Sequence, residues 1–242
     1  MLHHPASFRE DFLLQVLSDS NLPTGGFVSS AGLEAAVQAK HVDQTSLLPY
    51  VRASLHSYAH ASLPFVRDVW ACLDGLDTAE AGHEGSVDQN CDSLIGTNHI
   101  ARRASRAQGA AYLTLAIRGF PGERGINVVK LFKTEVRSNR SPGHLVPCFA
   151  LVCWCLGLSL QRTEHLLLFL HVRSLLSAAI RLNLVGPYQG QQFLIALQQP
   201  VEDALAIVER RTQRGGDACQ TSPVADILQG LHGQLYSRMF NS

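Results

Sequence analysis

The sequence predicts an all-α protein, a single domain of about ten helices around a central apolar helical hairpin. Three observations predict it. Apolar residues recur at steps of three and four along most of the chain, no stretch alternates as a strand does, and no internal repeat is visible. The strongest run lies between residues 144 and 191. In its second half Leu168, Val172, Leu175, Ala179 and Leu182 alternate steps of four and three, which sets them on one helix face. The first half, HLVPCFALVCWCLGLSL, contains Pro147 and is too short for a bilayer, which needs roughly 20 residues. Arg173, Arg181 and two histidines exclude lipid around the second half. Both halves read as core.

Taken in order, residues 8–18 carry Phe8, Phe12, Leu13, Val16 and Leu17 at helical spacing, with Arg9, Glu10 and Asp11 directed away. Residues 18–27, SDSNLPTGGF, form a turn where Pro23 fixes φ and Gly25 and Gly26 permit conformations closed to other residues. A helix over 30–40 follows, with Glu34 in its first turn, where a carboxylate suits the positive end of the helix dipole. Asp43 caps a helix reaching His60, with Leu47, Val51, Leu55 and Tyr58 inward. A further helix over 63–73 takes Pro64 in its first turn.

Residues 74–98 change character: Asp74, Asp77, Glu80, Glu84, Asp88 and Asp92 accumulate without a Lys or Arg, which predicts a mobile acidic loop. A helix over 99–118 is expected to turn Ile100, Ala104, Ala107, Ala111 and Leu115 inward and to cluster Arg102, Arg103 and Arg106 on a solvated or docking face. Phe120-Pro121-Gly122 ends it, residues 126–136 give a short helix, and 139–143 form the loop before the hairpin. Beyond the hairpin come helices over 190–197 and 201–211, a polar linker over 214–222, and a last amphipathic helix over 223–238 with Ile227, Leu231 and Leu235 aligned.

Twenty Lys and Arg balance twenty Asp and Glu, so the field that gathers phosphate backbones or anionic lipid is missing. Nucleic acid and membrane are not expected partners. The opening MLHHPASFREDF lacks a signal-peptide core, and six scattered cysteines do not form a disulfide framework, which together predict a cytoplasmic protein with reduced thiols.

Enzyme signatures are missing: there is no GxSxG elbow, no Walker A lysine loop, no HExxH helix and no EF-hand series. His56 with His60, and His144 with Cys148, have one-turn spacing that suits a metal, but neither pair brings a third ligand. Cys153 and Cys155 point about 200° apart on a helix and read as core thiols. Arg173, Ser177 and Arg181 make a polar line at successive fours. Buried guanidinium groups need partners, so carboxylates or carbonyls are expected beside them, with Glu34, Glu135 and Asp226 as candidates.

Four blocks then join. LSDSNLPTGGF with Gly32-Leu33-Glu34, NHIARRASRAQG over 98–109, SAAIRL over 177–182 with Gly186-Pro187, and the ending Leu231-His232 to Leu235-Tyr236-Ser237-Arg238-Met239-Phe240 together resemble the urease accessory protein F (UreF) family. They span nearly the whole chain in the family's order. The resemblance implies an all-α helper protein and not an enzyme. It implies a homodimer that joins the UreD (UreH) accessory protein and recruits the UreG GTPase, so that nickel reaches apo-urease. It implies no tightly bound cofactor, the nickel being handled by the complex. Carried over by position, the partner-binding elements are the tail over 222–242, with Tyr236, Arg238 and Phe240, and the 23–34 segment, with Pro23, Gly25, Gly26 and Glu34. Ser29 stands where many relatives have His or Tyr, and the 74–98 stretch matches nothing in the family pattern. Two rival classes remain: a nickel carrier using His56, His60 or His144 with Cys148, and a helical hydrolase using Glu34 with a nearby histidine.

Overall fold

The computed structural model describes residues 5–74, 84–96, 98–211 and 214–242. Among them eleven helices run in order: α1 (Pro5–Leu17), α2 (Leu33–Gln38), α3 (Leu47–Asp74), α4 (Glu84–Ile95), α5 (His99–Gly119), α6 (Ile126–Arg137), α7 (Leu145–Cys155), α8 (Leu160–Arg181), α9 (Pro187–Ala196), α10 (Gln198–Arg211) and α11 (Pro223–Leu231). No strand occurs among the described residues, and no helix there is long and apolar enough to cross a membrane. The all-α expectation holds.

The apolar runs become α7 and α8 and sit at the centre. Leu168, Val172, Leu175 and Ala179 are all buried, as their spacing requires. Each helix is held chiefly by others: α7 lies against α5 and α3, α8 lies against α3, and α7 and α8 meet each other only briefly. Tyr112 of α5 meets Phe149 of α7 edge to face, with ring centroids 5.3 Å apart. That approach needs Gly109 on α5, where a Cβ would collide with the Gly143 carbonyl just ahead of α7. The tight crossing also rotates α5 away from the expected register. Gly109, Tyr112, Leu113 and Ala116 are buried with Ile100, whereas Ala107 is exposed.

The central α3 is one helix of 28 residues, not two. Asp43 caps its entry as expected, its Oδ1 accepting the Thr45 and Ser46 N–H groups at 2.9 Å each. The Ser46 hydroxyl, with those N–H groups, holds the Asp43 carboxyl down at about 2. Pro64 stands in the helix interior, where its missing N–H would orphan the His60 carbonyl. The Cys219 N–H takes that carbonyl at 3.3 Å from the linker after α10, so a long-range bond replaces the lost helical one.

Three other expectations are corrected. Residues 84–95 form α4 instead of a loop; the part of the predicted acidic loop over 75–83, with Thr97, lies outside the described residues. Asp88 of α4 is fully buried and holds the loop that enters α7: its oxygens accept the Gly143 N–H at 2.6 Å, the His144 N–H at 2.8 Å and the Ser141 hydroxyl. On α1, Leu13 and Leu17 are buried, but Phe8 and Phe12 are exposed. The charged residues expected to face away instead fasten the helix, through Arg9–Glu123 at 2.6 Å, Asp11–Arg162 at 3.0 Å and Glu10 accepting the Ser159 N–H at 2.8 Å. The final helix stops at Leu231, followed by a tight turn over His232–Gln234 and an irregular tail. Ile227 and Leu231 are exposed while Leu228 and His232 are buried.

Candidate functional site

The segment over residues 24–38 and the segment over residues 229–242 meet beside α8. Gly25 and Gly32 hold φ of 76° and 87°, so the segment between them folds back tightly into α2. At Gly32 a Cβ would lie only 3.0 Å from the Gln229 Cβ, so that glycine is what lets α11 close on α2. Ser174 of α8 supports the turn from below, its hydroxyl donating to the Gly26 and Ser29 carbonyls at 3.2 Å each.

Glu34 is the centre of this clasp. It is only 2% exposed, and it does not act on its own helix terminus alone. Its oxygens accept the Met239 N–H at 2.6 Å and the Phe240 N–H at 3.1 Å, and Oε2 lies 2.9 Å from His232 Nε2. One carboxylate therefore satisfies a turn and an irregular tail that have no secondary-structure partners of their own. A second set of bonds runs alongside. The Ser30 N–H and hydroxyl both donate to the Ser242 backbone oxygen, at 2.7 and 2.6 Å, and the Asn241 N–H donates to the Val28 carbonyl at 2.8 Å. Gln38 Nε2 donates to the Ser237 carbonyl at 3.0 Å.

The arginines of α8 complete the junction, with carbonyl partners as expected but none of the candidate carboxylates. Arg173 donates to the Ser18 carbonyl, and Arg181 Nε donates to the Ser177 carbonyl at 3.2 Å. Arg181 also lies against two rings, 3.9 Å from the Phe27 centroid and 4.4 Å from that of Phe240. The three candidate carboxylates are engaged elsewhere: Glu34 with the tail, Glu135 with Arg140 at 2.6 Å, and Asp226 with Asn98 Nδ2 at 2.7 Å. Of the expected partner types the carbonyls do the pairing, and aromatic faces join them at Arg181.

The remaining predicted residues divide by exposure. Pro23 and Gly25 are exposed on the turn, and Gly26 is half-buried. Phe240 is buried against Arg181, but Tyr236 is fully exposed, and Arg238 and Met239 are exposed beside it. The tail thus has an inner edge held by Glu34 and an outer edge open to contact. Of the arginines on α5, Arg102 pairs with Asp92, Arg103 reaches the Asn241 carbonyl at 3.4 Å and Arg106 donates to the Pro142 carbonyl at 2.9 Å. All three are exposed, as a solvated face requires, and each also fastens a neighbouring segment.

The two metal pairs do not develop. His144 is fully buried, with Nδ1 3.0 Å from the Ser105 hydroxyl and Nε2 2.7 Å from Asp92, and burial drives the Cys148 thiol well above its usual pKa. Among the described residues no three His, Cys, Asp or Glu side chains gather as a metal would require. Sequence reasoning missed His232 and His171. The second stacks on Tyr58 at 4.0 Å, accepts or donates to the Ser54 hydroxyl at 3.0 Å, and is held down to about 4 by burial. It faces an open-mouthed cavity of about 620 Å³ bordered by α3, α4, α5, α7, α8, α9, the turn and α11.

Fold and site define an all-α protein in which the 24–38 segment and the C-terminal tail are clasped together beside a cavity, with one buried carboxylate at the centre of the clasp. The profile of the UreF family matches residues 41–198. "Urease accessory protein 6" of Cryptococcus neoformans var. grubii is 33% identical, with 98% of each chain covered. "Urease accessory protein F" of Arabidopsis thaliana is 34% identical over 93% of this chain and 90% of that protein, and its namesake from Oryza sativa subsp. indica is 35% identical over 93% and 82%. The chain belongs to the UreF family of urease accessory proteins.

Proposed function

We propose that this protein is a cytoplasmic scaffold for urease maturation. It dimerises, joins a UreD/UreH-type protein, recruits a UreG-type GTPase and so enables nickel delivery to apo-urease, without itself holding the metal tightly. The observation that carries this reading, beside family membership, is the tail: Glu34 locks its backbone while Tyr236, Arg238 and Met239 stay open on the outer edge. A pre-ordered edge rich in Tyr, Arg and Met is a surface that binds protein without a large ordering cost.

Co-purification from urease-expressing cells, with and without a non-hydrolysable GTP analogue, tests it. Wild-type protein is expected to retain the UreD/UreH-type and UreG-type partners. Tyr236→Ala with Arg238→Ala should weaken that retention at least tenfold while leaving helicity unchanged. Full retention by the double variant would remove the tail from the interface, and capture of neither partner by the wild type would overturn the scaffold reading.

A further inference from the structure

Among the described residues no carboxylate side chain pairs with the arginines in the polar line of α8. Arg173, Ser177 and Arg181 all border the 620 Å³ cavity, spaced by single turns over about 12 Å of helix. Each guanidinium offers five N–H donors, yet among the described residues one carbonyl accepts from each, the Phe27 and Phe240 rings against Arg181 bring no formal counter-charge, and Arg181 Nη2 is buried without an acceptor. Burial accordingly pulls the Arg181 pKa downward, as for a cation lacking a counter-charge. The two carboxylate side chains on the cavity wall have other engagements, and the Ser242 backbone oxygen there is taken by Ser30. Asp19 accepts the Asn21 N–H at 2.9 Å on an exposed turn, and Asp226 holds Asn98.

Around this line the wall is largely apolar, with Leu17, Leu22, Phe149, Leu167, Ile180 and Leu194 contributing. The size falls within the roughly 300–1,000 Å³ typical of small-molecule pockets. The rim includes the exposed Ser20, Gln191 and Gln220, so solutes have a way in. An apolar sleeve with two cations on one wall matches a molecule with an apolar body and an anionic head. We propose that the cavity binds a small amphipathic carboxylate, its head on the Arg173–Ser177–Arg181 face and its body against the leucines. His171, neutral above its depressed pKa, adds a hydrogen-bonding group without adding charge.

Calorimetric titration of the whole protein tests this with octanoate, and with octan-1-ol and acetate as controls that remove the charge or the body. Octanoate is expected to bind saturably at one per chain, and each control at least tenfold more weakly. Arg173→Gln and Arg181→Gln should each weaken octanoate about tenfold, and Ser177→Leu, which fills the wall, should abolish binding. Because Arg181→Gln also touches the clasp, Arg173→Gln and Ser177→Leu carry the result if that variant unfolds. Octanol binding as tightly as octanoate, undiminished binding by Ser177→Leu, or no saturable binding would each overturn the proposal. None of these outcomes bears on co-purification with partners, so the two readings stand or fall separately.

Discussion

The interior of α3, α7 and α8 and the clasp between the 24–38 segment and the tail are buried to similar depth but are held by different forces. In the first, Phe149, Leu168 and Leu175 lose their water to other apolar groups, and stability grows with area without regard to direction. In the second, Glu34, Ser30 and His232 are equally hidden, yet what holds them is a short list of directed bonds, several of them to a segment without regular structure. Loss of one core methyl group is shared among neighbours. Loss of the Glu34 carboxylate orphans two backbone N–H groups and a histidine together.

The difference sets where damage should appear. Phe149→Ala opens a cavity under Tyr112 and should cost about 3–5 kcal/mol. Because the site belongs to α5, α7 and α3 at once, denaturant unfolding should keep a single transition at lower midpoint. Two separated transitions would break the view of these helices as one cooperative unit. Glu34→Ala is expected to cost about 2–3 kcal/mol, since buried donors lose a charged acceptor. Here the loss should be local. Amide exchange should speed up over residues 232–242 while α3 and α8 keep their protection, and uniform loss would make the clasp part of the core.

That contrast also explains what the sequence could and could not disclose. Periodicity exposed α3, α5, α7 and α8 because burial of an apolar stripe is a local pattern, and Asp43 was legible because a cap acts within three residues. Periodicity could not say whether an apolar stripe is covered: Phe8, Phe12, Ile227 and Leu231 fit helical spacing but remain exposed. Nor could composition separate Asp88, buried where it holds the loop entering α7, from the acidic residues around it. The Glu34 and His232 pair joins positions 198 apart in sequence, and the arginine partners are carbonyls and rings that no residue count reveals. What the family blocks did locate were the two segments themselves, 18–34 and 231–240, without their contact.

The smallest expected effect lies where core and clasp adjoin, at His171. Its ring borders the cavity beside Tyr58, and burial depresses its pKa from the ordinary 6.5 to about 4. Unfolded, it binds a proton below about 6.5, whereas folded it stays neutral until about 4. Between those values the unfolded state holds more protons, so stability rises with pH across the window. The contribution is complete above 6.5 and is lost as pH falls toward 4. Partial access through the cavity limits the loss to about 1–2 kcal/mol. His171→Phe keeps the stack on Tyr58 but removes the titration, so its stability should vary less between pH 6.5 and 4 than that of the wild type. An unchanged pH slope in that variant would move the titrating group elsewhere. Exchange at pH 4.5 then separates the two regions: if His171 serves the core, protection in α3 and α8 falls together, whereas loss confined to residues 18–34 and 232–242 would assign it to the clasp.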